Sequence, residues 1–276
     1  MIYKTLMTRL ELGLPNSPVL AVTGDLATLF DATVVGITAC EPVRMAYGEV
    51  YITADLLEQS YQDVERALKA AERDCRKALS GRVAVVEWRG AACTGLLSDY
   101  LSGEARCADL VVTGVNDKAS FFDGSRHVDI GDLVMQAGRP VLIVPARVEG
   151  LRLDHVMIGW KDTRESRRAV FDAVPLLGKA GRVSVVEIAR ENDLPAARSR
   201  VGDVVTWLAR HGVSAHSLTV ASKGDDAVQM NAVAKEQNVD LIVAGAYGHS
   251  RLREWVLGGV TRDLLLRADC CVFVSH

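Results

Sequence analysis

The stretch "VDLIVAGAYGHSRLREWVLGGVTRDLLLRADCCVFV" (residues 239–274) opens with an apolar run that ends at Gly245 and closes with a second apolar run. The two runs read as buried strands, and the segment between them as a loop leading into a helix. Glycines stand at 245, 248, 258 and 259. Two readings of these glycines stay open. They punctuate turns, as glycines at strand ends commonly do. Or they keep Cβ atoms away, so that backbone amides reach an anion.

The same order occurs earlier in the chain. "ADLVVTG" (108–114) matches "VDLIVAG" (239–245) at an offset of 131, and "GRPVLIVP" (138–145) matches "ADCCVFVS" (268–275) at 130. The starts correspond more loosely, "YKTLMTRLEL" against "DHVMIGWKD". A period this long implies two copies of a domain and not a solenoid. The expected units are residues 1–148 and 151–276, with the seam in "PARVEGLRLD".

Within each copy, apolar runs alternate with amphipathic segments. Strands are expected near 154–160, 182–189, 213–220, 239–244 and 270–275, and in the first copy near 32–39, 83–88, 108–113 and 140–144. One long helix is expected from Ala54 to Leu79. Further helices are marked by Ala169, Val170, Ala173, Val174 and Leu177, by Val201, Val204, Val205 and Leu208, and by Ala227, Met230, Val233 and Ala234. Continuous apolar strands between helices indicate α/β architecture: two tandem doubly wound domains, each with a five-stranded parallel sheet. The apolar edges ending in "PVLIV" and "CVFV" should pair, packing the copies as an internal pseudo-dimer and removing an aggregation hazard. A homodimer of the whole chain is a further expectation.

Composition excludes several classes. The chain has 276 residues, 49% hydrophobic and 24% charged, with a formal net charge of −3. That balance offers no basic field for nucleic acid or anionic membrane. No apolar run nears the roughly 20 residues that span a bilayer. The first residues lack the layout of a signal peptide. Six cysteines at irregular spacing form no C-x-x-C pair and read as reduced, mostly buried thiols of a cytoplasmic protein. A zinc site from Cys270, Cys271 and His276 is the weaker alternative, because adjacent strand residues face opposite sides.

The loop after residue 244 has the chemistry of an anion site. Gly245 ends a strand, while Gly258, Gly259 and Thr261 fall where a helix should begin, on the same rim of the sheet. Unsatisfied amides and the helix dipole favour negative charge there. Thr261 adds a hydroxyl, and His249 or Arg251 a positive partner. Residues 151–276 hold 17 Lys and Arg against 15 Asp and Glu, while residues 1–150 hold 15 against 20. The half with the glycine loop is the one more hospitable to an anion.

These residues resemble the C-terminal signature of the universal stress protein family. Its nucleotide-binding members carry Gly, two residues, Gly, nine residues, then Gly followed by Ser or Thr; Gly245, Gly248 and Gly258 match. "RESRRAVFDAVPLL" resembles the family's first helix, and the resemblance covers the chain as a tandem. It implies five-stranded parallel domains, commonly dimeric, with or without bound ATP and its associated magnesium. It further implies that Gly245, Gly248, Gly258, Gly259, Val260 and Thr261 surround phosphates, and that Ile188 lies against the adenine. Two positions depart from the pattern. Gly259 replaces the expected Ser or Thr, losing a hydroxyl worth about 0.5–1.5 kcal/mol. Lys161 stands where an aspartate would contact the nucleoside; it either reaches a phosphate or is a solvated surface lysine.

Two functions follow in order. The first is a stress-response sensor or regulator that binds ATP or a related phosphate ligand in the second copy and acts through a protein partner. The second is a ligand-free scaffold with degenerate sites. An enzyme ranks last, with slow ATP hydrolysis at most: the sequence has no G-x-S-x-G elbow, no G-x-x-x-x-G-K-[ST] loop and no evident acid pair. By the offsets above, Gly248 falls on Asp117, Gly258 and Gly259 on Val128 and Asp129, and Thr261 on Gly131. The first copy is therefore expected to hold no phosphate.

Overall fold

The computed structural model describes residues 2–40, 54–93, 95–115, 128–246 and 269–276. In the first half, β1 (Thr5–Arg9), β2 (Thr33–Cys40), β3 (Val86–Ala92), β4 (Leu110–Gly114) and β5 (Val141–Val144) pair in the order β3-β2-β1-β4-β5. In the second half, β6 (His155–Gly159), β7 (Arg182–Ala189), β8 (Ala215–Ala221), β9 (Leu241–Gly245) and β10 (Cys271–Ser275) repeat that order as β8-β7-β6-β9-β10. Every pairing inside a half is parallel. Near-continuous Val, Ile and Leu runs suit strands buried on both faces.

The helices are α1 (Ser17–Phe30), α2 (Ala54–Leu79), α3 (Leu97–Glu104), α4 (Ile130–Gln136), α5 (Arg164–Leu177), α6 (Leu194–Arg210) and α7 (Asp226–Glu236) among the described residues. Their starts are set by local chemistry. The Thr163 hydroxyl accepts the Ser166 N–H at 3.3 Å to open α5, and the Asp225 carboxylate accepts the Ala227 N–H at 2.9 Å to open α7. The apolar stripe of α5, with Ala169, Val170, Ala173 and Leu177 buried, turns to the sheet. So does that of α6 through Val201, Val204 and Leu208.

Among the described strands one pairing is antiparallel. β10 lies against β5 with Val272 opposite Ile143, Phe273 opposite Leu142 and Val274 opposite Val141. All six side chains are fully buried. The two five-stranded sheets thereby become one ten-stranded sheet. Each face carries a single apolar cluster drawn from both halves. One runs from Tyr3 and Leu6 through Leu142 to Val156 and Phe273; the other runs from Met7 and Ile37 through Ile143 to Met157 and Val272. Polar contacts add to the join. The Tyr3 hydroxyl donates across it to the Asp172 carbonyl of α5, and within the second half the Ser275 hydroxyl donates to the Asp172 carboxylate at 2.7 Å. Asp25 of α1 accepts the Leu151 N–H at 2.8 Å and pairs with Arg82, fastening the connection between halves.

One strand is displaced from its sequence expectation. The run expected at 83–88 forms β3 at Val86–Ala92. β3 is an edge strand with half-buried and exposed positions, so apolar density does not mark it. Its register with β2, from Val34–Val86 to Cys40–Ala92, fixes it instead. The long helix lies where expected, at Ala54–Leu79. The segments 41–53 and 116–127 lie outside the described residues.

Expressed apart, residues 1–148 and 151–276 each leave one apolar edge, β5 or β10, without its partner. Each piece is expected to self-associate, and a co-refolded mixture to elute as a one-to-one complex in size-exclusion chromatography. Two soluble monomers as stable as the full chain would show that the β5–β10 ladder is dispensable.

Candidate functional site

In an open parallel sheet, ligands bind beyond the carboxyl ends of the strands where the order reverses. Here that place lies between β6 and β9 in the second half, and between β1 and β4 in the first. β6 ends at Gly159 beside Ala244 of β9, and Val186 of β7 pairs with Gly159 on its other side. The register therefore brings Gly159, Lys161, Ile188 and Gly245 to one rim. Gly248, His249, Gly258, Gly259, Val260 and Thr261, together with Arg251 and Trp255, lie outside the described residues.

Gly245 has a packing role. A Cβ there would lie 2.4 Å from the Ser166 nitrogen and 2.6 Å from the Glu165 carbonyl carbon, both backbone atoms in the first turn of α5. Only glycine lets β9 end this close to the helix. Gly159 differs: a Cβ would first meet the terminal methyl of Met230, at 3.4 Å. Gly159 and Ala244 therefore put only small residues of the sheet on the α7 side of the rim, where Met230 packs over Gly159. Ile188 is half-buried on that same side, beside Val220 of β8 and the Met230 cluster. Lys161 is exposed, and its carbonyl accepts the Thr163 N–H at 2.7 Å. The lysine head group is free to turn towards the rim or to water.

The opposite side of this rim is closed. Trp160 is 8% exposed and belongs to the α5–α6 core; its indole N–H has no hydrogen-bond partner among the described residues. Glu187 of β7 is buried and takes a bidentate ion pair from Arg200 of α6, which also reaches Asp193 at 2.8 Å. These carboxylates hold the guanidinium firmly protonated. Glu165, in the first turn of α5, is buried too. Burial would raise its carboxyl, but hydrogen bonds from Arg164, its own backbone N–H and Thr163 outweigh burial and keep it below its ordinary value. A carboxylate at a helix N-terminus is also favoured by the dipole.

The first-half rim is built differently. Arg9 ends β1 at the register position that Gly159 holds in β6, since Arg9 faces Ile37 of β2 as Gly159 faces Val186 of β7. Its guanidinium donates to the Thr113 hydroxyl at 3.2 Å and to the Glu11 carboxylate at 2.6 Å. Asp129 caps α4, its carboxylate accepting the Asp132 N–H at 3.0 Å. Burial, with Asp129 and Asp99 nearby, raises the Asp132 carboxyl. Reasoning from the sequence missed Arg9. Its signal was the mismatch of a large cation against a glycine in the alignment of "TLMTRLE" with "HVMIGWK".

Other candidates separate in space. Cys271 faces the cluster around Phe273 and Cys270 the cluster around Val272, so the two thiols point to opposite sides of the sheet. Burial pushes the Cys270 thiol up to about 12. The His276 ring meets the Ala246 carbonyl through Nδ1 at 3.2 Å. Of the six thiols, Cys107 is exposed and Cys40, Cys75 and Cys271 are buried. A cavity of about 230 Å3, lined by Thr5, Thr33, Met7 and Arg89 among others, opens near the amino ends of β1 and β2, away from the rim.

The architecture defines a doubly wound α/β protein made of two like halves joined edge to edge. A family model for the universal stress protein family matches residues 152–276, the second of the two halves. Universal stress protein Slr1230 of Synechocystis is 22% identical over 178 residues, which span 64% of this chain and 61% of that relative. A universal stress protein from Archaeoglobus fulgidus superposes with a TM-score of 0.74 at 16% identity, covering 98% of this chain and 95% of the other. A functionally unknown protein from Pseudomonas aeruginosa PAO1 gives 0.64 at 14% identity, covering 99% and 92%. At these identities the structural likeness concerns the fold.

Gly245→Ala is expected to destabilise the chain by about 1–3 kcal/mol through overpacking against α5. Gly202→Ala, within α6 and with nothing within 4 Å of the added Cβ, should stabilise it by about 0.5–1 kcal/mol. Urea denaturation of both variants checks the pair.

Proposed function

We propose that this chain is a stress-response sensor or regulator that binds ATP or a related phosphate ligand at the β6–β9 rim of its second half. The observation carrying this reading is the glycine spacing at 245, 248 and 258, which follows β9 directly at the place where the strand order reverses. Amides at that rim would hold the phosphates, with Gly259, Val260, Thr261 and His249 around them. The apolar wall at Ile188 would meet the base, and Lys161 would supply charge. Magnesium would arrive only with the nucleotide. No catalytic group is assigned, and any ATP hydrolysis would be slow.

The first half, residues 1–148, serves in this reading as a degenerate domain for packing or for a protein partner. Among the described residues no helix is long and apolar enough to cross a membrane. We place the protein in the cytoplasm, with a protein partner as the output of ligand binding and with no part for nucleic acid.

A second reading, a ligand-free scaffold, is favoured by one observation: the α5 backbone already accounts for the glycine at 245. Mass spectrometry of small molecules released on denaturing the purified protein separates the two. A nucleotide in near-stoichiometric amount supports the sensor; none, together with no heat on ATP titration, supports the scaffold.

Calorimetric titration with ATP is expected to give one site per chain. Gly248→Asp places a carboxylate and a Cβ where the phosphate would approach. Like charges at about 4 Å cost on the order of 1–4 kcal/mol, so affinity should fall about tenfold or more. Equal heats for wild type and variant would remove the loop from the site.

A further inference from the structure

Arg9 stands at the first-half switch point and is 4% exposed. It lies two residues after Met7, so its side chain leaves the sheet on the α3–α4 face. From there it spans β1 and β4: the guanidinium reaches the Thr113 hydroxyl on β4 at 3.2 Å and the Glu11 carboxylate beyond β1 at 2.6 Å. Glu11 is itself 12% exposed in its side chain. The Glu11 N–H and C=O are held by the Asn16 amide, each at 2.9 Å, so the carboxylate is positioned by its own turn. In the second half, Gly159 and Ala244 hold the positions of Arg9 and Thr113, and it is the Met230 methyl of α7 that approaches within 3.4 Å of where a Cβ on Gly159 would stand.

We infer that Arg9 is a built-in occupant of the first-half crevice, a guanidinium from the chain itself in the place where a doubly wound domain would take a ligand. Burying a guanidinium is costly unless it is paired and hydrogen-bonded, and Glu11 and Thr113 supply both. Downstream of β4, the start of α4 is capped from within as well, by the Asp129 carboxylate. The first-half crevice is therefore filled at Arg9 by the chain itself. The inference concerns the first half alone and stands whatever the second half binds.

The test uses the full chain. Arg9→Gly installs the residue found at position 159 and leaves a guanidinium-sized hole flanked by Glu11 and Thr113. Thermal denaturation is followed by circular dichroism in millimolar ethylguanidinium, with ethylammonium as the matched control and wild type as the reference for general salt effects. The variant is expected to melt lower than wild type. Ethylguanidinium should restore most of the loss saturably, and ethylammonium should not. An unchanged melting temperature, or an equal response to the two cations, overturns the inference. Should Arg9→Gly not fold, the cycle of Arg9→Met, Thr113→Val and the double variant decides. Losses smaller in the double variant than the two singles together support the occupant, and strictly additive losses overturn it.

Discussion

The antiparallel ladder between β5 and β10 is the contact on which the rest depends. Each half alone is an open five-stranded sheet whose last strand is apolar on both faces and unpaired on one side. Pairing the two edges removes that liability from both at once. It also lets each face of the sheet carry one continuous apolar cluster, with Phe273 and Leu142 on one side and Val272 and Ile143 on the other. Because the two edges meet antiparallel, the halves stand in opposite senses, and their switch-point rims open at opposite ends of the ten-stranded sheet.

That arrangement makes the two rims independent experiments on one scaffold. The second keeps small residues, Gly159 and Ala244, where the order reverses, and its closed side is held by Glu187, Arg200 and the Trp160 core. The first fills the same place with Arg9, Thr113 and Glu11 and caps its helix with Asp129. A handful of rim positions distinguishes the two halves. The strand order and the core patterning are kept in both.

Much of this was legible before any coordinates. The repeat at offsets of 131 and 130, the Ala54–Leu79 helix and the buried faces of α5, α6 and α7 follow from periodicity, because burial writes itself into apolar spacing. The pairing of the "PVLIV" and "CVFV" edges followed from their apolar character. β3 was misplaced because an edge strand with one exposed side carries a weak pattern, and the register that fixes it is a contact with β2.

What the sequence determined by itself is therefore the periodic part: two doubly wound copies, their core faces, and a glycine-spaced loop after β9 in the second of them. What only the tertiary structure decided is the meaning of single residues at the rims. Gly245 reads from sequence either as a turn glycine or as room for an anion, yet its missing Cβ is the space into which the α5 backbone packs. Arg9 falls in no motif of the sequence, yet it is buried between Thr113, 104 residues away, and Glu11. The physical reason is the same for both. A side chain's role depends on which atoms the fold brings within a few ångströms of it, and those atoms come from segments that no local spacing connects.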